Sequence, residues 1–402
     1  MENRNYILHK ISLLLFSILI IGFFYSNALK SIALVGLSGL FIFHTEWRKE
    51  VRFIFKNKIF ISSLILISIY VFSAIISTDK IMAIKAINNK IAIVCIPISI
   101  YLLKYSKKEI IYLFILYTTA ALIQILYALY HAVFFEKITD LYSIGNVLPV
   151  IKIHHVQIAT LISFGILFLI VFIENIRSIK LKIIAAVLTI IFIFFIHYFA
   201  VRTGIILTYT LLITYLSYQV VTSRNWKLIG IISVIILIVS VIIFQTSNTL
   251  KTKINYMRYD ITQYLKNAEN AYQYSDSRRL QSIKNGIIVL QKNPIFGAGI
   301  GDLYKECATI YKQQNPTLKK EFFFLPHNQY IYYLSTFGYI LGGIAILCFI
   351  YPLFYFIKNK NVLLISIYIS LLMFAIWDAF MGTLFGTCIY AIIIGLGMKQ
   401  KN

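Results

Sequence analysis

Long apolar runs separated by short polar segments fill most of this chain. Twelve can be marked, at about 11–26, 28–45, 59–77, 88–103, 110–134, 156–174, 183–200, 204–221, 228–245, 328–357, 362–378 and 382–398. A run of roughly 18 or more residues with few charges is long enough to cross a bilayer as a helix. Polarity does not alternate from residue to residue within the runs, as it would in the strands of a membrane barrel. The pattern predicts an all-α polytopic membrane protein with about twelve transmembrane helices. One polar stretch, residues 246–325, is 80 residues long. Structureless loops of that length are uncommon in compact proteins, and this one has helical periodicity, so a small folded cap is expected. The predicted division is nine transmembrane helices over 1–245, the cap over 246–325 and three helices over 326–402.

Composition agrees with that reading: 59% of residues are hydrophobic and 13% charged, with a mean hydropathy of +0.80. The net charge of +23 would direct attention to nucleic acid in a soluble chain. In a membrane protein, short basic loops mark the cytoplasmic face and meet anionic lipid, so membrane lipid and not nucleic acid is the expected partner. The two termini and every second short connection carry 19 Lys and Arg, against 7 in the alternate ones: Lys30, Lys80, Lys85, Lys90, Lys137, Lys152 and Arg202. Both termini are therefore expected in the cytoplasm. The 80-residue stretch, with 12 basic and 6 acidic residues, falls on the outer face, as long loops cross regardless of charge. The first run has no small-residue cleavage site and reads as a retained helix. The four cysteines, Cys95, Cys307, Cys348 and Cys388, have neither disulfide-framework nor metal-site spacing.

Candidate chemistry gathers at the outer ends of the runs. In "SDSRRLQSIKNGIIVLQKNP", Leu280, Ile283, Ile287 and Leu290 form an apolar stripe on a helix that Pro294 ends. Arg279 borders the stripe and Arg278 lies nearly opposite. Either they are solvated arginines, or Arg279 meets an anion, a task suited to a guanidinium that stays charged and binds phosphate oxygens in pairs. "NPIFGAGIGDLY" lacks the strand and the Gly-Lys-Ser/Thr of a nucleotide loop. It reads as a tight turn with left-handed positions that packs the cap onto the bundle. Arg202, between two apolar runs, is either an interfacial arginine reaching headgroups or a charge kept for function. His197 reads as a packed polar residue. His154 and His155 point about 100° apart on a helix, so they do not share a metal readily, though one can face a cavity. In "PHNQYIYY", Pro326 is expected to start a helix and His327 to lie in its first turn. There it is either part of an aromatic belt or a base able to accept a hydroxyl proton.

The segments "RTG" at 202–204, "SRRL…NPIFGAGIGDLY" at 277–304 and "PHNQYIYYLSTFGYILGG" at 326–343, in that order, resemble the O-antigen ligase and polymerase family of bacterial envelope glycan assembly. The resemblance covers about 183–397. It implies a GT-C-like glycosyltransferase in the inner membrane with a periplasmic site, using neither metal nor cofactor. The implied donor is a glycan on undecaprenyl diphosphate, and the implied acceptor is lipid A-core or another glycan. Carried over, Arg202 and Arg279 hold the diphosphate and His327 activates the acceptor hydroxyl. Arg278, Asn328, His155 and Asp378 are expected to contact substrate. Asp378 is similar to an acid that some members keep between the last two spans; its other reading is a solvated turn. The tryptophan usual four residues after the loop arginine is Ile283 here, so Arg278 and Arg279 both stay open for that role. The residues lean towards ligase over polymerase only through the compact loop and the single Arg/Arg/His set. A transporter of lipid-linked or anionic solutes also fits twelve spans, but it would be expected to show internal repeats and mid-membrane charges.

Overall fold

The computed structural model describes residues 2–43, 47–102, 105–134, 154–222, 248–266 and 274–399, with isolated positions 230, 234, 241 and 245. The rest of the run at 228–245, together with Lys137 and Lys152, lies outside the described residues. Among those described, all regular structure is helical. The N-terminal part contains α1 (Glu2–Tyr25), α2 (Asn27–Phe43), α3 (Trp47–Lys56), α4 (Lys58–Ile76), α5 (Lys80–Asn88), α6 (Ala92–Leu102) and α7 (Lys107–Phe134). Next come α8 (His155–Asn175), α9 (Ile179–Tyr198) and α10 (Arg202–Thr222). The polar stretch folds as α11 (Asn248–Leu265), α12 (Ser275–Lys292) and α13 (Leu303–Gln314). The chain ends in α14 (Gln329–Lys358), α15 (Val362–Trp377) and α16 (Leu384–Met398). Eleven of the twelve runs are thus seen as helix. Among the described residues, eight helical spans are long and apolar enough to cross a membrane, one of them α5 and α6 taken together, and α2, α15 and α16 contain shorter apolar stretches. This is an all-α polytopic membrane protein.

The most enclosed of these helices is α8, with 67% of its apolar window buried against 22% for α9. It packs on α7, α9 and α10; α10 packs on α15, and α14 on α4 and α15. Small residues permit the close approaches: a Cβ on Gly204 would stand 2.9 Å from that of Ala159.

One expectation is corrected here. Lys30 and Lys90 are not exposed loop charges but are each 1% exposed. The apolar stripe of α12 is packed at Leu290, which is 4% exposed, whereas Leu280 and Ile287 are 40% and 39% exposed. Ser277, Gln281, Ser282, Asn285 and Gly286 are buried beside it. On that polar face the Gln281 amide donates to Asn285 Oδ1 (3.0 Å) and Gln314 Oε1 (2.7 Å), while Asn285 Nδ2 is buried without a hydrogen-bond partner. Gly286 leaves room for Pro326, whose Cγ would be 2.5 Å from a Cβ there.

The "NPIFGAGIGD" turn is left-handed at Gly297 and Gly299 (φ 68° and 86°), as expected. It threads between α4 and α14. The N–H groups of Ala298 and Gly299 donate to Ser335 O (2.9 Å) and Thr336 O (3.0 Å), and Tyr339 N–H donates to Pro294 O (2.8 Å). The carboxylate of Asp302 accepts from Thr78 N, Thr78 Oγ1 and Asp79 N at 2.6, 2.7 and 2.9 Å. The stretch that reads as one helix over 328–357 is broken at Gly338 (φ 78°, ψ −178°).

Candidate active site

Four helices, α8, α10, α12 and α14, begin at one end of the bundle, and α15 ends there. Their N-terminal N–H groups carry the positive ends of the helix dipoles. Every candidate site residue lies at this end.

Arg202 is the first residue of α10, reached through a turn in which Ala200 is left-handed (φ 47°). A cation at a helix N-terminus is disfavoured by the dipole, and Asp276 offsets this. Its carboxylate accepts from Arg202 Nη1 at 2.7 Å and Nη2 at 3.0 Å, a bidentate pair. Asp276 sits in the first turn of α12, where its own helix favours an acid. That turn is fixed from α11: the fully buried Asp260 accepts from Asp276 N at 2.7 Å and Ser277 N at 3.0 Å.

One turn on, Arg278 and Arg279 separate. Arg278 places its guanidinium over the Phe324 ring, 5.4 Å from the centroid, a cation–π contact. Among the described residues, no carboxylate lies within ion-pair distance of Arg279. Burial, and then the charge of Arg202, lower its pKa, partly opposed by Asp378 and Asp276. Arg279 is thus a desolvated cation without a committed anion. On α11, the Lys253 ammonium is pushed down to about 8 by burial, then by Arg202, with Asp276 opposing.

His327 is not in the first turn of α14. Asn328 is the N-cap, its Oδ1 accepting from Ile331 N at 2.9 Å, and His327 precedes the cap. Asn328 has the side-chain acceptor a cap needs, and Pro326 fixes the approach. The His327 backbone N–H donates to Ser282 Oγ at 3.0 Å, and Ser282 Oγ donates to the Arg279 carbonyl at 2.7 Å. One serine therefore ties the histidine to the helix carrying the arginines. His327 Nδ1 lies 3.5 Å from Asp378 Oδ1. Burial raises the Asp378 pKa, but His327, Arg279 and His154 more than offset this and hold it below the ordinary carboxylate value. Asp378, its side chain 32% exposed, is therefore an anion facing the histidine.

The amide of Asn328 is engaged at both ends, as cap and as donor to Ile376 O at 3.0 Å. His155 has a buried Nδ1 with no hydrogen-bond partner and a ring 4.5 Å from that of His154. It is His154 that senses Asp378, Arg279 and His327. His197 is packed as expected, with ring nitrogens 2.8 Å from Ile193 O and 2.8 Å from Tyr209 Oη. The sequence reading missed Asp276, Asp260, Ser282, Lys253 and the larger part of His154. Only Asp276 had a local signal, as an acid just inside a helix start.

A cluster of cations around one histidine–carboxylate pair, at the polar end of a membrane bundle, suits a phosphorylated lipid and a hydroxyl. Residues 166–347 match the family described as O-antigen ligase. The match, over a little under half of the chain, shows similarity to that family. It includes Arg202, Arg278, Arg279, His327 and Asn328. His154, His155 and Asp378 lie outside it, although the resemblance read from sequence extended to 397. Comparison with curated proteins finds no match. Among the described residues, no group of three or more His, Cys, Asp or Glu side chains is placed to hold a metal ion.

Proposed function

We propose that the chain is an O-antigen ligase-type glycosyltransferase working at the periplasmic face of the inner membrane. It takes a glycan from undecaprenyl diphosphate and gives it to a lipid A-core acceptor, without a metal. Its cap is the 246–325 segment, set between nine helices and three. The observation that carries this reading is Arg279, an uncommitted cation tied through Ser282 to His327, which in turn faces Asp378.

The acceptor oxygen bonds to the sugar's anomeric carbon while the bond from that carbon to the diphosphate oxygen breaks. His327 takes the hydroxyl proton, with Asp378 stabilising the imidazolium. The leaving diphosphate gains charge, and Arg279, with Arg202 and Lys253 behind it, stabilises that charge in a partly desolvated setting, where such interactions count for most. The diphosphate leaving group supplies the driving force.

The test is transfer in vesicles containing EDTA, with lipid-diphosphate-linked glycan and lipid A-core. Arg279→Ala should lower kcat by about a hundredfold or more, and His327→Ala by about a hundredfold to ten-thousandfold, with membrane levels unchanged. Normal surface glycan in cells carrying either variant would sink the assignment. In cells lacking the gene, full-length glycan stranded on its carrier supports the ligase, whereas cores bearing one repeat unit would transfer the reading to the polymerase.

A further inference from the structure

Lys90 lies in the short turn between α5 and α6 and is 1% exposed. A buried lysine within a membrane bundle is costly and is expected to have a task. Among the described residues, no carboxylate is within ion-pair distance of it. Its Nζ donates instead to the Met381 carbonyl, and to Thr387 Oγ1 at 3.3 Å. The ammonium also lies 5.2 Å from the centroid of the Tyr70 ring. It is held by dipoles and a π face.

What Lys90 holds is more informative than what holds it. Met381 is the middle residue of a short 3-10 turn, Phe380–Gly382, that follows Asp378. The other polar group of Met381, its N–H, donates to Gln329 Oε1 at 2.9 Å. Gln329 is fully buried and lies two residues after His327. A second brace crosses nearby, from Asn328 Nδ2 to Ile376 O at 3.0 Å. The two braces flank the 3.5 Å contact between His327 and Asp378, one on each side along the chain.

We propose that Lys90 and Gln329 are positioning residues that grip Met381 by its carbonyl and its N–H and so hold Asp378 against His327. Neither touches the reacting atoms. The turn has few bonds of its own, from Gly382 N to Ala379 O (2.8 Å) and from Thr383 N to Phe380 O (3.0 Å). Neither fixes it relative to α14. Gln329 supplies that link, and Lys90 anchors the turn from the junction between α5 and α6. Displacing a catalytic pair by an ångström can cost about a hundredfold in rate, so the clamp is needed only if the pair is used.

This inference rests on the proposed glycosyl transfer, and one vesicle assay separates the two. Wild-type protein inactive with lipid-diphosphate-linked glycan and lipid A-core counts against the function. Active wild type, with Lys90→Met and Gln329→Met equally active, counts against the clamp. The expected result is a kcat about a hundredfold lower in Lys90→Met, with the KM for donor unchanged. In an Asp378→Asn background the same substitution should cost little more, because residues acting through one another are not additive. A raised donor KM with unchanged kcat would overturn the proposal, since Lys90 would then be a contact to the anionic lipid. Full additivity with Asp378→Asn, or no effect of Asp378→Asn itself, would overturn it too. If Lys90→Met does not accumulate in the membrane, the same cycle run with Gln329→Met decides.

Discussion

The arginines at the site differ in what already holds them. Arg202 is saturated by Asp276, so its charge is largely neutralised before any substrate arrives. Arg279 is not, and Lys253 nearby can still change its charge. Lysine is charged below its pKa and neutral above it, and the Lys253 ammonium is pushed down to about 8. A glycosyl diphosphate diester keeps its charge across that range. Donor affinity should therefore weaken as pH rises through about 8. Lys253→Arg should flatten that dependence, since arginine stays charged. Donor KM measured from pH 7 to pH 9 checks this, and an identical rise in wild type and variant would discard the role of Lys253. Histidine and arginine at the edges of apolar runs were legible as candidates because such positions exclude charge by default. Their partners were not. Asp276 is 74 residues from Arg202 and Asp378 is 51 from His327, and nothing in local pattern encodes pairing over such distances. The different surroundings of Arg278 and Arg279 depend on the ring of Phe324, 45 residues or more away in sequence.

Among the helices, α14 shows how function is built into a membrane span. Breaking a helix within the hydrocarbon frees backbone groups that water cannot reach, and each must be satisfied by protein. At Gly338, the freed carbonyls of Ser335 and Thr336 and the N–H of Tyr339 are all taken by the 294–299 turn. Hydropathy cannot reveal such a break, because "STFGYILGG" is as apolar as an unbroken helix. The glycine-rich turn was legible, but its partner was not. Gly338 has φ 78°, where a side chain is strained, and a Cβ there would meet the Ile295 carbonyl. Gly338→Ala should destabilise the protein by about 1–3 kcal/mol from the strained backbone alone, with the collision adding to it. It should also lower transfer by loosening the cap from α14. Thermal unfolding in detergent, read beside the vesicle assay, tests this. Unchanged stability would mean that the turn and α14 are not interlocked in the membrane.

At the scale of the whole molecule, the site has a role only if its end of the bundle faces the compartment where lipid-linked glycan is presented. The charge asymmetry that orients the chain was counted with Lys30 and Lys90 on the outer face. Both are buried in the bundle, where they do not serve as exposed topological signals. Removing them leaves five basic residues in the short outer segments against 19 on the other side, so the positive-inside argument becomes stronger. On that argument we propose that α12, Arg202 and His327 lie outside the cytoplasm. Lys305, exposed on α13, and Lys180, exposed at the start of α9, lie on opposite sides in this arrangement. In a chain whose native cysteines are replaced by serine, Lys305→Cys should react with a membrane-impermeant maleimide in spheroplasts. Lys180→Cys should react only after the membrane is opened. The reverse pattern would put the arginines in the cytoplasm, with the 80-residue cap on the wrong side for a periplasmic transferase.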